Sequence, residues 1–251
     1  MATPGSRLAE RVAIVTGGAG GMGSSHTRVL AEEGALVLIG GVRDTEGQDY
    51  ACQLVKQGLD VSYTHLDVTS EASWQATVEL CVARWGRLDI LVNNAGITGT
   101  PGGPEVEDLA SWERTVAVNQ TGSYLGIRTV APAMRRTGAG AIVNVSSISG
   151  VAGDGDYFAY CATKGALRMM TRVAALKYAK EGIRVNSVCP GVVRTPMNDT
   201  AVDGNRYIEN TPLGRMAEPL EIAKAVLFLV SDDSSYMTGS DLIVDGGFLA
   251  Q

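Results

Sequence analysis

Short, almost wholly apolar runs alternate with longer segments of helical spacing along the whole 251-residue chain. Val12–Thr16, Leu36–Ile39, Leu88–Val92, Ala141–Val145 and Val185–Val188 read as strands buried on both faces. Asp60–Leu66 and Leu242–Val244 read as two more of the same kind. Between them, segments 21–33, 44–57, 70–85, 107–136, 156–180 and 217–231 carry apolar residues at helical spacing. A strand with two apolar faces needs cover on both sides, and this alternation supplies it. The expected fold class is therefore α/β: a doubly wound parallel sheet of about seven strands. No repeat or linker-like stretch interrupts the pattern, so residues 1–251 read as a single domain. Only Gly191–Arg215 breaks the rhythm. Rich in Thr, Asn, Asp, Gly and Pro, and long for a connection, it is the candidate substrate loop.

Charge and cysteine content narrow the function classes. Lys and Arg number 21 against 27 Asp and Glu, a net charge of −6, where binders of nucleic acid or membrane surfaces usually present a basic face. No apolar run reaches the 18 or more residues of a membrane span, and Val12–Val15 is too short for a signal-peptide core. Cys52, Cys81, Cys161 and Cys189 lie far apart, with no CxxC and only two His, so neither a metal site nor a disulfide framework is expected. Reduced thiols in a cytoplasm are the simplest reading. The Gly153-Asp154-Gly155-Asp156 run begins like a calcium loop but lacks the later ligands, and reads as a turn.

Glycine is over-used: 31 residues, against roughly 18 at the average frequency. The densest cluster, Thr16-Gly17-Gly18-Ala19-Gly20-Gly21-Met22-Gly23, follows the first strand and opens a helix. Without Cβ atoms such a turn lets backbone N–H groups and the positive helix end approach a pyrophosphate. Gly17, Gly20, Gly21, Met22 and Gly23 are therefore candidate cofactor-binding residues. A tight strand-to-helix turn with no ligand is the alternative reading of the same residues.

The Thr16, Gly17, Gly21 and Gly23 register resembles the short-chain dehydrogenase/reductase family, and further motifs follow in that family's order. Asn93-Asn94-Ala95-Gly96 follows the fourth strand, and Asn119 lies in Val118-Asn119-Gln120-Thr121-Gly122. Ser146-Ser147 closes the fifth strand, Tyr160-Cys161-Ala162-Thr163-Lys164 gives YxxxK, and Cys189-Pro190-Gly191 precedes Thr195. Together they span about residues 10 to 247. The resemblance implies a Rossmann-like single domain, a nicotinamide cofactor, a homotetramer and four catalytic residues: Asn119, Ser147, Tyr160 and Lys164. It also implies cofactor contacts from Gly41, Val42, Arg43, Asp67, Val68, Asn94, Ala95, Gly96, Pro190, Gly191, Val193 and Thr195, with Tyr160 and Lys164 touching the cofactor as well.

Tyr160 and Lys164, four apart, share one helix face. A phenol with its usual pKa near 10 is a poor base at neutral pH. A cationic Lys164, with the positive charge of an oxidised nicotinamide, is expected to bring it down. Tyr160 then exchanges a proton with the substrate oxygen held by Ser147, while Asn119, by resemblance, positions a relay water beside Lys164. On spacing alone, Lys164, Arg168 and Arg172 equally describe a solvated cationic stripe, and Ser146 rivals Ser147. Met169, Met170 and Val173 read as core or subunit interface.

Where the family carries an Asp that excludes a 2′-phosphate, this chain has Gly41. Arg43 lies within reach of such a phosphate and Asp44 opposes it. NAD(H) is favoured on the rest of the segment, with NADP(H) as the alternative. Details such as TGGAGGMG, NQTGSYLGIR and the DGG ending look most like the subgroup that oxidises alicyclic alcohols and hydroxysteroids. Candidate pocket residues are Ser149, Val151, Asp154, Tyr157, Met197 and Tyr207, which favour an uncharged small molecule. Alternatives are a 3-oxoacyl-carrier-protein reductase, which the acidic balance disfavours, a nucleotide-sugar epimerase, for which the chain is short, and a non-catalytic NAD(P) sensor.

Overall fold

The computed structural model describes residues 6–198 and 206–251. Seven strands form one parallel sheet in the order β3-β2-β1-β4-β5-β6-β7. They are β1 (Val12–Thr16), β2 (Leu36–Gly41), β3 (Val61–His65), β4 (Ile90–Asn93), β5 (Gly140–Val145), β6 (Ile183–Pro190) and β7 (Asp241–Val244). The helices are α1 (Gly21–Glu32), α2 (Asp44–Val55), α3 (Glu71–Trp85), α4 (Leu109–Thr115), α5 (Gly122–Thr137), α6 (Phe158–Tyr178), α7 (Arg206–Glu209) and α8 (Pro219–Val230). The sheet and its flanking helices are the doubly wound plan expected from the alternation.

Successive side chains of a strand face opposite ways, and β1 shows what this does to the core. Ala13 and Val15 enter a layer with Val29 and Leu30 of α1, Leu54 of α2 and Ile222 and Val226 of α8. Val12 and Ile14 enter the opposite layer with Trp74 and Val78 of α3, Val130 of α5 and Ala174 of α6. Trp74 is wholly buried and its indole N–H donates to the Val68 carbonyl (3.0 Å), so its polar edge is satisfied.

Helix ends follow local chemistry. Ser70 caps α3, accepting from Ser73 N–H, and Gly86 closes that helix in the left-handed region at φ 74°. Pro219 opens α8 behind a reciprocal Glu218–Glu221 capping box. The expected helix over 107–136 is broken instead into α4, a π-helical turn at Val116–Thr121, and α5. Gly122 begins α5 because it lies against Val68, where a Cβ would stand 2.9 Å from the Val68 side chain.

One alternative reading of α6 falls away. Lys164 is buried, while Arg168 and Arg172 both reach Asp241 at 2.9 Å, so the three do not form a solvated stripe. Met169 and Val173 point outward and are not core, whereas Met170 packs against the second layer.

Candidate active site

Chain reversal puts β1 and β4 side by side, with α1 covering one face and α5 the other, so a crevice opens at their carboxyl ends. Thr16, the last residue of β1, ties the two strands together. Its hydroxyl accepts from the N–H groups of Asn94 and Ala95, both at 3.0 Å. Asn94 returns its side-chain amide to the Thr16 carbonyl at 2.9 Å. Asn94 thus shapes the crevice from behind. Gly17 and Gly21 take positive φ, and a Cβ on Gly23 would collide with the Gly17 carbonyl. Helix α1 has no side-chain cap at Gly20 and no acid in its first turn, and Met22 lies in that turn. Its amide end is open to an anion, and this is the observation on which the glycine turn fits a dinucleotide pyrophosphate.

The remaining candidates line the same edge to different degrees. The Thr195 side chain comes to 3.9 Å from where a Cβ on Gly21 would stand, so the segment after β6 folds back over the glycine turn. Pro190 ends β6, and Gly191 follows where a Cβ would press on Asp245. Val193 is buried and bridges to Ala217. The Asp67 carboxylate accepts from Thr69 N–H (2.9 Å) and Thr69 hydroxyl (2.8 Å), and Val68 packs beneath Gly122.

At the end of β2 the structure revises the expected charge balance. Val42 is exposed, and the Arg43 guanidinium lies across Gly20 and pairs with Glu46 at 2.7 Å. Asp44 is held by partners on β3. Its Oδ1 accepts from the Tyr63 hydroxyl (2.7 Å) and meets His65 Nδ1 at 2.9 Å, which holds its carboxyl below the usual range.

The four proposed catalytic side chains converge beside this crevice. Ser147 ends the β5 connection and caps a 3-10 turn at Ile148–Gly150, its hydroxyl accepting from Ser149 N–H at 3.1 Å. It also acts on the Tyr160 hydroxyl, favouring the phenolate. Ser146 points the other way and donates to the Lys164 carbonyl (2.8 Å), which removes it as a rival. Lys164 Nζ donates to the Val145 carbonyl at 2.7 Å and stands 5.4 Å from the Tyr160 ring centroid. Gly96 completes the wall, since a Cβ there would lie 3.5 Å from Lys164 Nζ.

The buried setting of these residues has two consequences. Burial pushes the Tyr160 hydroxyl up to about 12, offset only in part by the Ser147 hydroxyl. Burial also brings the Lys164 ammonium down to about 8. Desolvation dominates in the free protein, and the lowering expected of Lys164 belongs to the state in which the charge of an oxidised nicotinamide acts with it. Asn119, in the π-helical turn, spends its side chain on protein. Its Oδ1 accepts from Ile97 N–H (2.8 Å), and its amide donates to the Ile97 carbonyl (2.8 Å) and to Thr163 (3.1 Å). It pins the β4 loop to the helix that carries Tyr160.

A cavity of about 150 Å³ lies against the Ile148–Gly150 turn, lined by Ile148, Ser149, Asp154, Tyr207, Asn210 and Phe248 among others. Of the six pocket candidates, Ser149, Asp154 and Tyr207 line it. Val151 lies beyond the 3-10 turn and is exposed, Met197 is half exposed on Pro196–Asn198, and Tyr157 is taken up by the start of α6. Part of the Gly191–Arg215 loop lies outside the described residues.

The family model described as enoyl-(acyl carrier protein) reductase matches residues 17–249. The 3-alpha-(or 20-beta)-hydroxysteroid dehydrogenase of Mycobacterium tuberculosis is 47% identical, covering 97% of this chain and 91% of its own. Trans-4-hydroxycyclohexanecarboxylate dehydrogenase of Sinomonas cyclohexanicum is 44% identical, over 98% and 96%. The crystal structure of gox2181 superposes with a TM-score of 0.94 at 35% identity, over 98% of both chains. This chain is a short-chain dehydrogenase/reductase.

In this short-chain dehydrogenase the sequence did not disclose three neighbours of the site. Phe248 and Asn210 line the cavity, Phe248 stacking on Tyr207 with ring centroids 6.1 Å apart. Glu107 accepts from Ala159 N–H at the start of α6. All three act across long sequence separations and carry no local signal.

Proposed function

We propose that the protein is an NAD(P)-dependent secondary-alcohol dehydrogenase or ketone reductase acting on uncharged alicyclic substrates. The observation that carries this reading is the grouping of Ser147, Tyr160 and Lys164 beside an uncapped, glycine-walled helix end. The relatives named for a hydroxysteroid and a hydroxycyclohexanecarboxylate support an alicyclic substrate.

A bound nicotinamide supplies the hydride acceptor in oxidation and the donor in reduction. The chain's own residues manage the oxygen and its proton. In reduction, the Ser147 hydroxyl and the Tyr160 phenol flank the carbonyl oxygen, and Tyr160 gives its proton to the developing alkoxide. Its high pKa keeps that proton in place at neutral pH. In oxidation Tyr160 takes the alcohol proton, a role that needs the cationic charge of Lys164. Asn119 fixes the spacing between Lys164 and the Gly96 wall.

The cofactor reading is NAD(H), with NADP(H) also accepted. Gly41 leaves no carboxylate at the end of β2 to repel a 2′-phosphate, and Arg43 lies on the glycine turn. A cytoplasmic homotetramer completes the proposal, supported by the exposed apolar stripe Met169, Val173 and Leu176 on α6.

The test follows nicotinamide absorbance with NAD(H) and NADP(H) against cyclic, aliphatic and steroid alcohols and ketones. Tyr160→Phe is expected to lose on the order of 10²-fold or more in kcat while still binding cofactor. Undiminished turnover by that variant overturns the mechanism.

A further inference from the structure

We infer that Arg168 is a positioning residue for Ser147: its guanidinium, anchored on β6 and β7, holds the turn that follows Ser147 against the helix that carries Tyr160 and Lys164. This rests on the dehydrogenase reading above and deepens it at the same site.

Ser147 lies where the sheet lets go of the chain. The ladder between β5 and β6 continues to Ser146, whose N–H donates to the Val188 carbonyl at 2.8 Å. Beyond Ser147 the backbone turns, and Gly150 N–H donates back to the Ser147 carbonyl at 3.0 Å. Side-chain bonds fasten this segment to α6 on both sides of Ser147. The Ser146 hydroxyl donates to the Lys164 carbonyl at 2.8 Å, and Arg168 Nη1 donates to the Gly150 carbonyl at 2.7 Å. Between them the turn touches the helix backbone. A Cβ on Gly150 would stand 2.6 Å from the Lys164 carbonyl carbon and 2.9 Å from the Gly165 nitrogen. Lys164 and Arg168 are four apart, so the arginine reaches the turn from one helical turn along from the lysine.

The arginine itself is held in place. Its Nε and Nη2 both meet Asp241 Oδ2 at 2.9 Å. A guanidinium carries its N–H donors in a fixed planar fork, so this pairing aims Nη1 at Gly150. Asp241 opens β7 and is largely buried, its side chain 9% exposed. Its Oδ1 accepts from the Ser187 hydroxyl of β6, and Arg172 adds a second cation on Oδ2 at 2.9 Å. Asp241 lies beside Ser187 in the sheet, and Ser187 beside Asn144 of β5. The polar chain therefore closes a ring. It leaves the sheet at β5 through Ser147, crosses α6 at Arg168 and returns to the sheet at β7.

A ring of this kind sets one coordinate, the distance of Ser147 from the face of α6. The Ser147 hydroxyl acts on the Tyr160 hydroxyl and favours its phenolate, so this coordinate matters to the reaction. Without Arg168 the Gly150 carbonyl loses a charge-assisted hydrogen bond, and the turn is free to lift off the helix. A hydroxyl displaced by a fraction of an ångström still meets a substrate but no longer matches the developing charge. That lowers kcat more than it raises KM. Arg168 directs its donors at Asp241 and the Gly150 carbonyl, and acts on the reaction through Ser147.

The experiment is a double-mutant cycle on kcat and KM for reduction of cyclohexanone and of a 3-ketosteroid, with wild type, Ser147→Ala, Arg168→Met and the double variant. Ser147→Ala is expected to lower kcat by on the order of 10²-fold. Arg168→Met is expected to lower kcat by about tenfold, with a smaller change in KM. The double variant should be no slower than Ser147→Ala alone, because the arginine acts through a hydroxyl that is no longer there. A residue that only holds the fold together imposes its loss in both backgrounds. Arg168→Lys keeps a cation beside Asp241 without the fork, and the same cycle run with it serves where Arg168→Met does not fold. Its loss should be smaller and should likewise vanish with Ser147→Ala. Unchanged kcat in both arginine variants, or losses that multiply with that of Ser147→Ala, overturn the inference and leave the dehydrogenase reading standing. Wild-type kcat in Ser147→Ala, or no turnover of either ketone by wild type with NADH or NADPH, overturns that reading itself.

Discussion

Glu107, in the loop before α4, accepts a hydrogen bond from the backbone N–H of Ala159 at 3.0 Å, across 52 residues of chain. Helix α6 has no side-chain cap of its own at Tyr157, so this carboxylate serves its first turn, which holds Tyr160. Its other oxygen accepts from Ser111, which in turn accepts from Thr100 N–H. One carboxylate thereby fixes the loop over the site and the helix beneath it.

Glu107→Ala is expected to lower kcat by roughly tenfold or more, since a proton donor displaced by a fraction of an ångström loses its alignment. KM changes less. Glu107→Gln keeps an acceptor for Ala159 N–H and should recover most of the loss. Equal defects in both variants, or a change in KM alone, would remove Glu107 as a positioning residue.

The proton chemistry has a directional signature in pH. With Tyr160 pushed up to about 12 in the free protein, its acid form persists through neutrality, so ketone reduction should vary little between about pH 6 and 8. Alcohol oxidation needs the deprotonated form and should climb with pH over the same range. Lys164→Met removes the cation that favours the phenolate and should move the oxidation limb to higher pH by about a unit or more. Paired pH–rate profiles in the two directions check this, and identical shapes would contradict it.

His26 carries a separate prediction about stability. It is fully buried in α1, neither ring nitrogen has a partner among the described residues, and burial brings its pKa down to about 3. Above the unfolded value near 6.5 neither state binds the proton, and the group contributes no pH dependence. Below 6.5 the unfolded chain takes up a proton that the folded one refuses, so stability falls by about 1.4 kcal/mol per pH unit down to about pH 3. His26→Leu should flatten that limb and raise stability at pH 7 by about 1 to 3 kcal/mol, since two unpartnered polar atoms leave the core. Urea titrations at pH 7, 5.5 and 4.5 measure both effects.

Cofactor choice can be shifted at β2. A Cβ on Gly41 would meet only Tyr63, at 3.9 Å, so Gly41→Asp fits without displacing a neighbour. The variant should weaken NADPH binding by about tenfold or more while leaving NADH binding intact, because a carboxylate now faces the 2′-phosphate. Arg43→Ala should also weaken NADPH. Fluorescence titration of reduced cofactor in the absence of substrate reads this directly, and unchanged NADPH affinity in both variants would detach these residues from the choice.

What was legible in the sequence depended on reach. The strands and the glycine turn are local patterns, and β1 falls at Val12–Thr16 as its apolar run implies. The pairing of Ser147 with Tyr160 was legible only through the resemblance to the family's motif order, since spacing alone left Ser146 as a rival. Glu107 was not, since its partner lies far along the chain and a lone glutamate has no pattern. Phe248 was hidden for the same reason: a tail residue enters the pocket only after the sheet has folded. The high pKa of Tyr160 in the free protein is different in kind. Spacing placed Lys164 beside it but carried no measure of how much water both groups lose.

The π-helical turn at Val116–Thr121 has a consequence for how this protein tolerates change. A regular helix there would be a better helix, and removing one residue would produce it. The same deletion would rotate Asn119 by roughly 100° about the axis and uncouple Ile97 from Thr163. Selection for thermal robustness alone would iron out the turn, whereas selection for turnover must keep its surplus residue. Libraries screened for heat resistance without an activity gate should therefore accumulate length changes at this turn, and their survivors should be well folded and inert.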